Sequence, residues 1–124
     1  MELLNPENAP KAVGPYSIAV KSNGFIFVSG QLPVDVETGE FIKGDIAKAT
    51  TTILNNIKNI LESAGSSVNK IVKVNVFMTD LSKFDEFNKA YGDFFNGHKP
   101  ARAAIQVAAL PKGADIEIEA IAEA

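Results

Sequence analysis

Pro100-Ala101-Arg102-Ala103-Ala104-Ile105-Gln106-Val107-Ala108-Ala109-Leu110-Pro111-Lys112-Gly113-Ala114-Asp115-Ile116-Glu117-Ile118-Glu119-Ala120-Ile121 reads as two strands and a loop. Pro100 favours an extended entry, and alternation then sets Ala103, Ile105 and Val107 on one face and Arg102, Ala104 and Gln106 on the other. In the second run Ile116, Ile118 and Ala120 point one way and Asp115, Glu117 and Glu119 the other, with Pro111 and Gly113 breaking the path between the runs. Antiparallel pairing about that loop predicts that Arg102 and Glu117 meet on the face away from the core. A guanidinium forks onto a carboxylate ligand and a nearby carboxylate can handle a proton, so the pair suits binding and hydrolysis of a small acid. The same pattern fits a cross-strand surface ion pair, and periodicity leaves both readings open.

The 124 residues leave room for one domain, residues 1–124, with one core. Hydrophobic residues at 46% and charged residues at 22% give the balance of a globular chain, not a disordered one. The net charge of −3 lacks the basic footprint that phosphate backbones require, so nucleic acid is not expected as the main partner. Without cysteine there is no disulfide, thiol nucleophile or thiolate metal site, and the single histidine, His98, cannot build the usual multi-ligand zinc site. No apolar run approaches the ~20 residues of a membrane span and the N-terminus does not read as a targeting segment, so a cytoplasmic protein without membrane partners is expected.

Upstream, an irregular arm with prolines at positions 6, 10 and 15 leads into a strand from Tyr16 to Lys21, an Asn23-Gly24 hairpin turn and a strand from Phe25 to Ser29. The run Phe25-Ile26-Phe27-Val28 is continuously apolar, which predicts cover on both faces. At Gly30 the missing side chain either lets a ligand approach the backbone or marks a bulge or turn. Residues 33–44 read as a loop or short hairpin. From Asp45, a candidate N-cap, Ile46, Ala49, Ile53, Ile57, Ile60 and Leu61 recur at helical spacing until Gly65. A strand from Lys70 to Thr79 follows, then a capping-box-like Ser82-Lys83-Phe84-Asp85 opens a second helix. That helix carries Phe84, Phe87, Tyr91, Phe94 and Phe95 on one stripe, which reads as core, and His98 after it reads as a solvated or dipole-facing side chain. The order ββαβαββ predicts an α+β fold: a single mixed β-sheet with two helices packed on one face. Ile71, Phe77 and Ile121, on or near the uncovered face, suggest burial against another subunit.

The strings Pro100-Ala101-Arg102, Leu110-Pro111-Lys112-Gly113 and Ile116-Glu117-Ile118-Glu119-Ala120 closely resemble the C-terminal signature of the reactive intermediate deaminase (Rid) family, also called the L-PSP or translation-inhibitor-like family. The likeness continues through Asn8-Ala9-Pro10, Gly14-Pro15-Tyr16-Ser17, Val28-Ser29-Gly30-Gln31 and Asn88-Lys89-Ala90-Tyr91, so it spans essentially the whole chain. It implies a chorismate-mutase-like fold and a homotrimer with a site in each cleft between subunits. It also implies hydrolysis of 2-imino acids, by-products of pyridoxal-phosphate enzymes, to 2-keto acids and ammonia, with no metal and no cofactor.

By the same resemblance Arg102 takes the ligand carboxylate, backbone N–H groups around Gly30 and Ala104 assist, and Glu117 orients water and handles its proton. Tyr16 lines the pocket beside the imine, Ser29 bounds it and Asn88 supports its walls. Taken alone, Tyr16 also reads as an amphipathic strand residue, Ser29 as a strand end and Asn88 as a helix-surface amide. Glu119 shares a face with Glu117, and only the family match selects Glu117. Two departures stand out: Ala104 replaces a cysteine found in many members, and the turn His98-Lys99-Pro100 is short. Alternative functions are the ribonuclease or translation-inhibitor activity of some relatives, disfavoured by the acidic charge and single histidine, and a non-catalytic regulator binding a small carboxylate.

Overall fold

Eight principal elements follow one another along residues 1–124 of the computed structural model: β1 (Glu2–Leu4), β2 (Ala19–Ser22), β3 (Phe25–Gln31), α1 (Ile46–Ser63), β4 (Ile71–Met78), α2 (Phe84–Phe95), β5 (Ala101–Gln106) and β6 (Ile116–Glu123). The strands form one mixed sheet in the order β1-β2-β3-β6-β4-β5, an α+β architecture with both helices on one face. The expected order gains one strand, β1, because the start of the arm pairs antiparallel with β2, Leu3 opposite Val20.

The hairpin expected between the last two strands does not form. Instead β5 runs parallel to β4, with Arg102 opposite Val74, and β6 inserts antiparallel between β3 and β4. The reason is the crossover: a strand leaving a short helix returns most readily beside and parallel to the strand that entered it, which gives β4-α2-β5. β6 then fills the gap that the α1 crossover leaves between β3 and β4, where both its edges are hydrogen-bonded. Pairing decides the faces of β5 as well. Arg102 and Ala104 lie on the helix-covered side with Val74 and Val76, and Ala103 and Ile105 lie on the open side with Asn75 and Phe77, the reverse of the face expected to be core.

Each helix is held by local chemistry. Asp45 caps α1, its carboxylate accepting from the Lys48 N–H at 3.0 Å, and Ile46, Ile53, Ile57 and Ile60 bury one stripe against the sheet. The capping box expected at Ser82 is not formed. Asp80 caps a preceding single turn by accepting from the Ser82 N–H, and α2 begins at Phe84 without a side-chain cap. Asn96, in the left-handed conformation with φ 48°, ends α2. His98 is not simply solvated: its Nε2 lies 2.8 Å from the Ile71 carbonyl, tying the end of α2 to the start of β4.

The sheet's helix-covered face carries Ile26, Val28, Val74, Val76, Ile116 and Ile118, all buried. The opposite face lacks a second layer, so Phe25 and Phe27 of the continuously apolar strand remain 39% and 44% exposed, and Ile105 49%. Phe77 and Ile121 share that open face, as expected, but Ile71 does not. A register shift between Ile71 and Lys73 turns Ile71 into the core and leaves Val72 exposed. Ile71→Ala should therefore lower the unfolding free energy by about 2–5 kcal/mol and Val72→Ala by about 1 kcal/mol or less, read from denaturant midpoints at fixed protein concentration.

Candidate active site

Glu117 stands on the open face of β6 opposite Phe77, beside the end of β3. There β3 carries an extra residue: Val28 faces Ala120 and Gln31 faces Ile118, so three steps on β3 match two on β6. The bulge falls at Ser29 and Gly30, and three contacts hold it. The Ser29 Oγ donates to the Ser17 carbonyl at 2.7 Å, the Ser29 N–H donates to the Ile18 carbonyl, and the buried Gln31 Nε2 donates back to the Ser29 carbonyl at 3.1 Å. Glu117 lies directly over Gly30. A Cβ built there would sit 2.8 Å from Glu117 Cδ and closer still to Oε2, so only glycine lets the carboxylate rest on this backbone.

A cleft of about 150 Å³ opens here, walled by Glu117, Gly30, Gln31, Tyr16, Pro111 and Lys112. Tyr16 is half exposed and its hydroxyl accepts from the Val13 N–H at 3.4 Å, a local tie within the arm. Among the larger hollows, one of about 560 Å³ at the start of α1 and one of about 700 Å³ between the outer faces of α1 and α2 carry less chemistry. In the first, Asp45 and Asp80 serve as caps and Asp115 accepts from the Gly44 N–H.

The two strand glutamates are not equivalent. Glu119 accepts from Asn75 Nδ2 at 3.1 Å, whereas the Glu117 carboxylate has no hydrogen-bond partner within the chain. Burial, and secondarily the charge of Glu119, holds the Glu117 carboxyl above the usual carboxylate range.

Arg102 belongs to a different surface. On the helix-covered side of edge strand β5, its guanidinium carbon sits 4.8 Å from the Tyr91 ring centroid and 5.5 Å from those of Phe84 and Phe87. Its Nη1 donates to Asn88 Oδ1 at 2.7 Å, and no carboxylate lies within ion-pair distance. Because the Val107 N–H bonds the Met78 carbonyl, alternation along β5 turns the Ala104 N–H toward the free edge. The Tyr91 hydroxyl is buried without a partner, and desolvation pushes it up to about 12 despite the opposing Arg102 charge.

The structure thus groups Tyr16, Gly30 and Glu117 in one cleft, with Ser29 tied into its wall, and groups Arg102, Asn88 and Ala104 at another edge. The expected Arg102–Glu117 pair does not form within one chain. With β4 between them and three residues of offset along it, their Cα atoms stand roughly 14 Å apart, and their side chains leave by opposite faces.

The family model described as Endoribonuclease L-PSP matches residues 6–124. The chain belongs to the L-PSP family. This L-PSP chain is 52% identical over 121 residues to a RutC family protein of Pyrococcus abyssi, covering 98% of the chain and 95% of the relative. It is 41% identical over 121 residues to the 2-iminobutanoate/2-iminopropanoate deaminase of Mus musculus, covering 98% and 90%. The solved structure of E. coli TdcF with bound serine superposes with a TM-score of 0.94 at 41% identity, covering 100% of this chain and 99% of that one.

Phe84, Phe87 and Tyr91 were readable in the L-PSP sequence only as core, and nothing in their spacing announced contact with Arg102. Gln31 and Lys112 sit inside the family motifs without a signal of their own. The raised Glu117 carboxyl has a thermodynamic signature. Because folding favours its protonated form, its contribution to stability is present below the unfolded pKa and is lost as pH rises through the higher folded value. Glu117→Gln, which cannot ionise, should melt higher than wild type at pH 7, and the gap should close below about pH 4.3, as followed by calorimetry across that range.

Proposed function

We propose that the protein is an enamine/imine deaminase, hydrolysing 2-iminobutanoate, 2-iminopropanoate and related 2-imino acids to 2-keto acids and ammonia. The observation that carries this reading is the division of labour: an arginine with no acid partner for the substrate carboxylate, and a desolvated glutamate with no hydrogen-bond partner for water. The mouse relative named for this activity and the amino acid bound to TdcF point to the same small carboxylates.

One chain keeps the two groups apart, so the reading places each site between neighbouring subunits of a homotrimer, Arg102 from one and Glu117 from the next. The apolar open face is the surface that such assembly would cover. Arg102 holds the carboxylate, aided by the edge N–H of Ala104, and Asn88 steadies the guanidinium. Glu117 takes a proton from water as the oxygen bonds to the imine carbon and the C=N π pair moves to nitrogen. It returns that proton to nitrogen, giving an amino-alcohol; it then carries the hydroxyl proton to the amine as well, the C–N bond breaks, and ammonia leaves as the hydroxyl oxygen becomes the keto oxygen. A carboxylate with no hydrogen bond to occupy it is free to take that proton, as Glu119, tied to Asn75, is not. Tyr16 closes the cleft, Ser29 keeps the arm in place, and Gly30 offers backbone to the ligand.

The whole chain, residues 1–124, is taken as the functional domain, and the cytoplasm as its setting; no helix is long and apolar enough to cross a membrane. The ribonuclease reading gains little from the geometry, because His98 is engaged with the Ile71 carbonyl, away from both Glu117 and Arg102.

A dehydratase-coupled imine assay should show Arg102→Ala losing about 1.5–3 kcal/mol of carboxylate binding, with a matching fall in kcat/KM. Glu117→Gln should keep 2-keto acid binding but slow hydrolysis by roughly 10²–10⁴-fold, and Glu119→Gln, tied to Asn75, should do far less. Light scattering should give three chain masses. Co-expressing Arg102→Ala with Glu117→Gln should restore roughly a quarter of the sites, as random mixing of a trimer requires. No recovery would place both groups in one subunit, and no wild-type imine loss would leave a binding protein.

A further inference from the structure

Arg102 is held entirely by neutral partners. Three aromatic faces lie within 5.5 Å of its guanidinium carbon, and Asn88 takes one of its five N–H donors through Nη1, leaving the Nε and Nη2 edge free. The chain could have fixed this side chain with a carboxylate, as arginines commonly are, but a carboxylate would cancel the charge and occupy the fork. Ring faces attract a cation through their quadrupole without accepting its in-plane N–H bonds, so they fix the plane of the guanidinium and spare both the charge and the donors.

Building on the deaminase reading, we propose that Phe84, Phe87 and Tyr91 form an aromatic seat that positions Arg102 for a planar carboxylate without neutralising it. The seat follows from one helical stripe. Residues 84, 87 and 91 fall on successive turns of the same face of α2, and Asn88 sits between them at the rim. Adjacent rings stack tilted at 5.7 Å for Phe84 with Phe87 and 5.4 Å for Phe87 with Tyr91, so each holds the next in place. Phe87 and Tyr91 are buried and serve the core as well, whereas Phe84 is only partly buried and belongs mainly to the seat. These are positioning residues acting through Arg102. A lysine would use the seat less well, since its ammonium is attracted to a ring but has no flat face for the rings to orient and no fork for a carboxylate.

The test is a double-mutant cycle on Phe84, chosen because its loss spares the core, with pyruvate as the probe for carboxylate binding. Phe84→Leu should raise the pyruvate Kd, and the KM for imine, about fivefold to tenfold while kcat changes less than about twofold; Phe84→Tyr, which keeps the ring, should recover most of the affinity. In an Arg102→Ala background Phe84→Leu should change the pyruvate Kd no further. An unchanged Kd in Phe84→Leu, or an equal loss with and without Arg102, would overturn the seat. A kcat loss at constant KM would overturn it too. Pyruvate binding is read apart from turnover, so a wild-type protein that binds pyruvate through Arg102 but leaves imine intact would fail the deaminase reading and leave the seat standing.

Discussion

The insertion of β6 between β3 and β4 is the constraint on which the rest of the molecule depends. It takes the C-terminal strand out of the hairpin that its loop would permit and satisfies its backbone from both sides. It also fixes which residues share a surface. Glu117 arrives beside the bulge in β3, on the face without helices, while Arg102 is carried to the far edge of the sheet on the face with them. A topology with β5 and β6 adjacent would have let the two charges pair and quench each other. Separated, neither is neutralised within the chain: the carboxyl is desolvated and without a hydrogen bond, and the guanidinium is fixed by neutral partners.

Much of this was legible in the sequence. The period of α1, its Asp45 cap, the alternation of β4 after its first residues, the aromatic stripe of α2 and the two-helix sheet all follow from local pattern. What the pattern could not give was adjacency. Alternation says that Arg102 and Ile105 take opposite faces, but not which face is the core, since β5 has weak apolar contrast and reads equally well either way. The bulges at Ser29-Gly30 and at Ile71–Lys73 shift the phase of a strand by one residue without a change in composition. The family motifs single out Glu117 over Glu119, and the structure distinguishes the two by a hydrogen bond, which Glu119 takes from Asn75 and Glu117 lacks. They were silent on the rings beneath Arg102, because a stripe of phenylalanines looks the same whether it covers a leucine or a cation.

The arm before β2 shows how an irregular segment can be as determined as a helix. Asn5 accepts from the Ile18 N–H through its side chain and Ser29 reaches back from β3 to Ser17, while the Tyr16 hydroxyl meets Val13 within the arm, so a stretch with no regular structure is tied both to the sheet and to itself. These ties bring Tyr16 to the cleft. A loop held by single hydrogen bonds can open locally at far smaller free energy than the core, which makes the arm the most movable wall of the cleft.

The bulge in β3 is an addition to the strand that its core pairing does not need. Val28 and Gln31, three residues apart, share the buried face only because an additional residue lies between them; with one residue fewer the period of two would still hold both inside, and the bulge itself would be lost. A one-residue deletion between Val28 and Gln31 would thus preserve the phase of the strand's core side and erase only the step in the backbone on which Glu117 rests. The turn around Asp35 to Gly39, which lies outside the sheet, carries no such phase and has room to gain or lose residues.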